Sequence, residues 1–140
     1  MRKFFYHYTD AKSTQDIFLT GKIRSSLSSQ RNAVHGDGVY LTTLEPRLGR
    51  EVIAKNNWGG FITGQNNQID KMECYFEVLL PSSKVKRAKD KRDIQIYEGE
   101  LFLENYKWNL KGWNGELKAT QYFMIRSEGE AAKYFYNNIC

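Results

Sequence analysis

Cysteine, proline and histidine are all scarce in this chain. Its 140 residues include two cysteines, two prolines and two histidines. Cys74 and Cys140 stand far apart, so they form neither a metal-binding spacing nor a disulfide framework, and unpaired thiols are consistent with a reducing compartment. No segment is of low complexity and 41% of the residues are hydrophobic. The composition therefore predicts a single globular domain over residues 1–140.

Long apolar runs are also missing, and no stretch approaches the length of a membrane span. Met1-Arg2-Lys3 is basic, but the apolar run that follows is short and ends at His7, so we expect no signal peptide. We expect a protein that acts in the cytoplasm and does not contact a membrane. Delivery into a target cell by a separate machine would leave no mark in the sequence.

Charge of one sign is only mildly in excess, with a net charge of +5. A weakly basic protein favours anionic partners, such as dinucleotides, nucleic acids or acidic proteins. The densest basic segment is Lys84–Arg92, which holds six Lys and Arg residues. A solvated loop is the plain interpretation of this segment, and a nucleic-acid contact is the alternative.

The pattern of apolar and turn-forming residues predicts an α+β fold with early helices and later strands. A helix over 11–20 begins at a cap supplied by Thr9 or Asp10, turns Thr14, Ile17 and Phe18 inward, and ends at Gly21. Predicted strands and extended segments are Lys3–Tyr8, Ile23–Ser26, Gly36–Thr43, Glu73–Leu80, Ile94–Tyr97, Leu101–Leu103 and Leu117–Arg126. In the strand over 73–80 one face carries Cys74, Phe76, Val78 and Leu80, and Pro81 ends it.

Four further elements complete the prediction. Pro46 should open a helix that reaches Asn57, with Leu48 and Val52 extending an apolar stripe from Leu44. The segments around 94–97 and 101–103 suggest a hairpin about Glu98-Gly99-Glu100. The remaining two are an aromatic loop over Asn105–Gly115 with Trp108 and Trp113, and a last helix over Glu128–Asn138 that begins with a capping box.

The segment Gly36–Thr43 (GDGVYLTT) has the composition of a tight turn followed by a short strand. Its two glycines permit positive φ angles and close approach to the backbone. The strand carries Tyr40 at its centre, beside accessible backbone. A flat aromatic ring in such a place suits a flat heterocyclic ligand, although a plain hairpin with a core tyrosine has the same pattern.

Three segments in order carry a family resemblance. They are Phe5-Tyr6-His7-Tyr8-Thr9, then Ile17–Arg24 (IFLTGKIR), and then Gly38-Val39-Tyr40-Leu41-Thr42. The series resembles the NAD-binding half of the diphtheria-toxin-like and poly(ADP-ribose) polymerase-like ADP-ribosyltransferases, the His-Tyr-Glu/Asp class. It looks most similar to small bacterial toxins whose first motif reads H-Y-T. The resemblance, carried mostly by residues 4–43, implies split antiparallel β-sheets with flanking helices.

The third motif of that family is a carboxylate at the start of a late strand, usually Glu-Tyr followed by apolar residues. The best counterpart here is Gln121-Tyr122-Phe123-Met124-Ile125, in which an amide occupies the carboxylate position. An amide can still form a hydrogen bond to a ribose hydroxyl. It lacks the negative charge that would stabilise the positive charge developing on the ribose as the bond to nicotinamide breaks. The resemblance thus implies an enzyme that this glutamine weakens or inactivates, and Glu116 is the alternative carboxylate.

The resemblance implies a role for each matched residue, with NAD as substrate and no metal. His7, Tyr40 and Gln121 would be catalytic: His7 would hold a ribose, and Tyr40 would stack on nicotinamide. Arg24 would contact the diphosphate or a ribose, since a guanidinium suits that charge. The implied NAD-binding residues are His7, Tyr8, Thr9, Arg24, Ser25, Gly38, Tyr40 and Leu41. The expected partners are NAD, an acceptor that is RNA, DNA or protein, and an antitoxin or immunity protein.

Two other functions fit parts of the same sequence. An NAD-dependent RNA 2′-phosphotransferase belongs to the same enzyme class, but it would require basic residues that converge on an RNA phosphate. A non-catalytic RNA- or nucleotide-binding module would explain the basic segment, the aromatic loop and the missing carboxylate.

Overall fold

The computed structural model describes residues 1–27, 35–58, 72 and 74–112. The strands are β1 (Arg2–Thr9), β2 (Lys22–Ile23), β3 (Val39–Leu41), β4 (Cys74–Pro81), β5 (Val85–Arg87), β6 (Gln95–Tyr97), β7 (Leu101–Phe102) and β8 (Trp108–Gly112). The helices are α1 (Ala11–Thr20) and α2 (Arg50–Trp58), with short 3₁₀ turns at Pro46–Leu48, Ser82–Lys84 and Leu103–Asn105. This is the α+β class that the sequence predicts. Outside the described residues lie the predictions for Trp113, Glu116, Leu117–Arg126, Gln121, Glu128–Asn138 and Cys140.

Antiparallel pairing organises the described strands into sheets of order β1–β4–β8, β2–β7 and β3–β6–β5. The longest pairing joins β1 to β4, from Arg2 opposite Pro81 to Thr9 opposite Cys74. On its other edge β1 meets β3 at one isolated bridge, where Tyr6 and Thr42 exchange two backbone hydrogen bonds of 2.8 and 3.0 Å. Since no other pairing of the two strands is made within the described residues, the sheets separate on either side of this bridge.

The β1–β4–β8 sheet carries buried side chains on both of its faces. One face holds the alternating residues of β4 that the sequence predicts to face inward, and all four are fully buried: Cys74, Phe76, Val78 and Leu80. They belong to the main core, with Phe5, Ile17, Val39, Leu41 and Leu110. The opposite face holds Tyr6, Tyr8 and Tyr75, which cluster with Ile53 and Ala54 of α2. Period-two alternation thus divides the aromatic β1 between two apolar layers.

Helix α1 follows its sequence signals closely. The Asp10 carboxylate accepts a 2.7 Å hydrogen bond from the Ser13 backbone N–H and caps the first turn. Gly21 ends the helix in the left-handed region at φ +71°, and its N–H donates to the Ile17 carbonyl. Thr14 and Ile17 are buried as predicted, whereas the side chain of Phe18 lies outside the described structure.

The predicted helix from Pro46 to Asn57 is wrong at its beginning and in its buried face. Pro46–Leu48 is a 3₁₀ turn that ends at Gly49, with φ +93° and ψ +153°, and α2 begins only at Arg50. The break rotates the two segments relative to each other. Leu48 and Val52 are therefore exposed, and Ile53 and Ala54 are buried in their place.

The hairpin predicted about Glu98-Gly99-Glu100 is also wrong. β6 lies between β3 and β5, while β7 pairs with β2. Pairing with strands far along the chain buries Gln95 and Leu101, which outweighs the local turn signal.

The segment Asn105–Gly115, predicted as a loop, contains β8. Trp108–Gly112 pairs with β4, so that Leu110 stands opposite Phe76 and is fully buried. The basic segment likewise is more than a loop, because Val85–Arg87 forms β5.

Candidate active site

The junction of β1 and β3 is organised by the side chain of His7. Its Nδ1 lies 3.0 Å from the carbonyl oxygen of Tyr40, immediately beyond the Tyr6–Thr42 bridge. Because a carbonyl only accepts, Nδ1 carries the proton and donates it. The imidazole thus replaces a backbone hydrogen bond at the point where the two strands separate.

Burial determines the charge state of His7. It lowers the pKa of the imidazole, and the hydrogen bond to Tyr40 opposes this only in part. The ring is therefore neutral at pH 7, with its proton on Nδ1 and a lone pair on Nε2. None of the described residues bonds Nε2, so this atom can accept a hydrogen bond from a ligand hydroxyl.

The hydroxyl of Tyr40 makes two hydrogen bonds, one as acceptor and one as donor. It accepts a 2.7 Å hydrogen bond from the His35 backbone N–H and donates one of 2.8 Å to the Gly36 carbonyl. Burial raises the pKa of the phenol, against the opposing effect of the His35 N–H. Since the hydroxyl is occupied in the turn, Tyr40 offers a ligand the half-buried surface of its ring.

The glycines of this turn have different roles. Gly36 has a φ of +105°, and a Cβ added there would meet open space, so its conformation alone favours glycine. At Gly38, with φ +145°, a Cβ would lie 2.4 Å from Ile96 Cγ2 and 2.7 Å from the Tyr97 carbonyl oxygen. Close packing of β3 against β6 thus requires glycine at position 38.

Arg24 and Ser25, the next predicted NAD contacts, belong to a backbone segment that lies beside the same turn. Ser26 and Gly38 exchange two backbone hydrogen bonds of 2.8 and 2.9 Å, which anchors the segment after β2 beside β3. The Arg24 guanidinium points to α1 and forms a 3.3 Å ion pair with Asp16, in which both side chains are more than half exposed. The Ser25 hydroxyl donates to the Ser26 carbonyl at 3.3 Å.

Three more of the predicted NAD-binding residues are buried. Thr9 shares the His7 face of β1 and stands opposite Cys74. Leu41 lies in the main core. Tyr8 faces the other apolar layer, where its hydroxyl donates to the Leu44 carbonyl at 2.7 Å and burial raises its pKa strongly. Gln121 lies outside the described residues, so the structure brings together His7, Tyr40, Gly38 and the backbone at 24–26.

Sequence reasoning missed the carboxylate that holds this turn from the other side. The Asp90 Oδ2 atom lies 3.1 Å from His35 Nε2 and 2.8 Å from Arg92 Nη2. Hydrogen bonds from Arg92 hold the pKa of Asp90 far below its usual range. The contact with His35 is close but is out of line for a hydrogen bond. No spacing rule links positions 35 and 90.

A second missed carboxylate, Asp93, ties β3 to β6 and α2. It accepts hydrogen bonds from Thr42 Oγ1, from the Thr43 backbone N–H and hydroxyl, and from Gln95 Nε2. Burial acts to raise the pKa of Asp93, but these hydrogen bonds outweigh it and lower the pKa. Asn56 of α2 completes the network, because its side-chain amide pairs with both backbone groups of Asp93 at 2.7 and 2.8 Å.

Neither a metal centre nor a membrane helix emerges from the part of the chain described. Within residues 1–27, 35–58, 72 and 74–112, His, Cys, Asp and Glu form no group of three or more that could hold a metal ion. The helices in those same ranges are too short or too polar to cross a bilayer.

Comparison with known proteins gives no relative. No protein-family model, no curated protein and no solved structure matches this chain. A functional proposal must therefore depend on the residues themselves.

Proposed function

We propose that this protein is an NAD-dependent mono-ADP-ribosyltransferase of the His-Tyr-Glu/Asp class, of the small bacterial toxin type. The observation that supports it best is the geometry of His7, a neutral imidazole that donates from Nδ1 to the Tyr40 carbonyl. Nε2 would accept a hydrogen bond from a ribose hydroxyl of NAD. An acceptor whose tautomer is fixed by the bond at Nδ1 gives such a contact a defined direction.

Tyr40 supports the same function through its ring. Its hydroxyl accepts a hydrogen bond from the His35 N–H and donates one to the Gly36 carbonyl, and these two bonds fix the ring before any ligand arrives. A fixed aromatic surface loses little entropy when a flat nicotinamide stacks on it. The order of the motifs predicts that His7 and Tyr40 line one site, and the hydrogen bond from His7 to the Tyr40 carbonyl supports this.

When the glycosidic bond to nicotinamide breaks, positive charge develops on the ribose, and a negatively charged group beside it would stabilise that charge. By its resemblance to the third motif, Gln121 occupies the position of that group, and its amide would still bind a ribose hydroxyl. Removing one preorganised electrostatic group costs about 10²–10³ in rate. We therefore propose that the chain binds NAD and turns it over slowly.

The decisive experiment measures NAD binding by calorimetry and nicotinamide release by chromatography. Gln121→Glu should raise nicotinamide release by about 10²–10³ without changing the fold, because the two side chains are nearly isosteric. Growth inhibition on expression should rise with it. If Gln121→Glu stays inert while Glu116→Gln abolishes a measurable activity, Glu116 is the carboxylate.

Two substitutions test the NAD site itself. Tyr40→Ala should weaken NAD binding about twofold to tenfold, since an aromatic stack contributes about 0.5–1.5 kcal/mol. His7→Asn keeps a donor for the Tyr40 carbonyl but loses the acceptor at Nε2, so it should fold and bind NAD less tightly. Tyr106→Ala is the matched control, since the hydroxyl of that half-buried tyrosine bonds only the Tyr97 hydroxyl among the described residues. Unchanged affinity in both site variants would remove the proposed site.

A non-catalytic nucleotide- or RNA-binding module is the second candidate, and the amide at position 121 favours it. The same experiment distinguishes the two, because such a module would bind ligand while Gln121→Glu released no nicotinamide.

A further inference from the structure

The net charge of this protein is concentrated in nine residues. The whole chain has 21 Lys and Arg against 16 Asp and Glu. Segment 84–92 contains six of these cations and one carboxylate, which gives +5, so the other 131 residues carry 15 cations and 15 anions. The excess charge therefore belongs to β5 and the loop that follows it, and the rest of the chain is balanced.

Four lysines of that segment have no counter-ion among the described residues. These four, Lys84, Lys86, Lys89 and Lys91, form the lysine cluster; all are exposed, and none takes part in an ion pair that the described structure contains. Elsewhere Lys22 pairs with Glu100, and Lys111 pairs with Glu77. The one acid of the segment, Asp90, is already occupied by Arg92 and His35.

Lys86 of the lysine cluster and Tyr40 of the candidate site share one face of one sheet. Lys86 stands opposite Ile96, and Ile96 stands opposite Tyr40. Residues directly opposite each other in a sheet point to the same side, and two strand spacings put the Lys86 and Tyr40 Cα atoms about 10 Å apart. The opposite face of this sheet is turned to the core through Val39 and Leu41.

Asp90 connects the cluster to the turn as well. Lys89 and Lys91 flank Asp90, whose carboxylate contacts His35 at the base of the turn that holds the Tyr40 hydroxyl. Lys86 is therefore linked to Tyr40 through Ile96, and the loop of Lys89 and Lys91 is linked to it through Asp90 and His35.

From this arrangement we infer that the lysine cluster binds the phosphodiester backbone of a nucleic acid and directs the strand across Tyr40. Four exposed ammonium groups, none of them in an ion pair among the described residues, suit a polyanion whose charges repeat along its length. The half-buried ring of Tyr40 lies on the same sheet face as Lys86, where it offers a base a surface on which to stack in the absence of NAD. The role of this strand as acceptor rests on the proposed transferase function, whereas its binding does not.

The test is fluorescence anisotropy with a labelled, unstructured RNA oligonucleotide, in the absence of NAD, over a series of salt concentrations. Lys86→Gln, Lys89→Gln and Lys91→Gln together form the test variant. Lys12→Gln, Lys55→Gln and Lys107→Gln together form the control, since these exposed lysines also lack an ion pair in the described structure. Each triple variant has a net charge of 5 − 3 = +2.

The parent and the control should bind with a steep salt dependence. Loss of three phosphate contacts should reduce the slope of log K against log salt by about 2 in the test variant, at about 0.7 per contact for a single strand. Equal losses in the two triple variants would mean that only net charge matters, and would overturn the inference. Equal binding of a poly-glutamate peptide would overturn it too.

Two further measurements separate the nucleic-acid site from the proposed transferase function. The same sequence as DNA identifies the strand that is preferred, and binding of either strand supports the phosphodiester site. RNA binding with no nicotinamide release by either the parent or Gln121→Glu would remove the proposed function and leave the site. Nicotinamide release without nucleic-acid binding would remove the site alone.

Discussion

In the β1–β4–β8 sheet, buried side chains occupy both faces, whereas in the β3–β6–β5 sheet only one face is turned to the core. The first sheet lies between the main core at Phe76 and the tyrosine layer at Tyr75. The second buries Val39 and Leu41 and leaves the opposite face to Tyr40, Ile96 and Lys86. Apolar burial on two sides stabilises the first sheet, and the second is free to carry ligand-binding groups.

His7 is instructive because it belongs to the first sheet and acts on the second. Its backbone pairs with Phe76 in β4, and its imidazole bonds the Tyr40 carbonyl of β3. A polar group fixed by a rigid sheet keeps its geometry without help from a ligand. The proposed division between a stabilising sheet and a ligand-binding sheet can be tested by substitutions on either side.

The largest effect is expected in the first sheet. Phe76→Ala should lower the free energy of unfolding by about 3–5 kcal/mol, because the ring is fully buried and its centroid lies 5.9 Å from that of Trp108. The matched change Ile96→Ala removes a half-buried side chain of the second sheet and should cost less than about 2 kcal/mol. Urea unfolding of both variants measures the difference. Equal losses would contradict the division.

The next effect compares the two glycines of the turn. Gly38→Ala should cost about 3 kcal/mol, since it adds backbone strain to a Cβ placed 2.7 Å from the Tyr97 carbonyl oxygen. Gly36→Ala meets no atom within 4 Å and carries the cost of its positive φ alone, about 1 kcal/mol. Thermal unfolding at one pH tests the order, and a larger loss at Gly36 would show that the contact of β3 with β6 is not the constraint.

Elements defined by local signals could be predicted from the sequence. The Asp10 cap and Gly21 delimit α1, and strict alternation from Cys74 to Leu80 defines β4 and its buried face. Predictions failed where a distant partner decides the outcome. β6 and β7 could form a local hairpin, but β6 lies between its chain neighbour β5 and the distant β3, and β7 pairs with the distant β2.

The candidate site divides in the same way. The motif order anticipated that His7 and Tyr40 would come together, and the Gly36–Thr43 turn and strand formed as predicted. Asp90 and Asp93 were missed because their partners, at His35 and Thr43, are fifty or more positions away in the chain. A charged side chain in a loop has no periodicity that reveals what it will meet in three dimensions.

The third effect is a pH dependence that belongs to His7. Burial lowers its pKa in the folded state, so between that value and about 6.5 the unfolded chain binds more protons than the folded chain. The free energy of unfolding should therefore rise with pH through this window, by up to about 1.4 kcal/mol per pH unit, and level off above about 6.5. Urea unfolding between about pH 5 and 7.5 measures it.

His7→Asn should lose this slope while it keeps a donor for the Tyr40 carbonyl. His35→Asn, which changes the other histidine of the chain, should retain the slope. A parent slope that survives in His7→Asn would assign it to another group and would weaken the case for a neutral imidazole at the junction.

The smallest effect on stability, and the sharpest test of which cation meets NAD, concerns Arg24. Its ion pair with Asp16 is exposed on both sides, so Asp16→Asn should change the free energy of unfolding by less than about 0.5 kcal/mol. It should nevertheless tighten NAD binding about twofold to fivefold at low salt, because the guanidinium no longer has to leave a carboxylate. Glu45→Gln is the matched control, since it releases Arg47 from another ion pair in which both side chains are more than half exposed. If both variants bind NAD as the parent does, Arg24 is a surface cation and the diphosphate is held elsewhere.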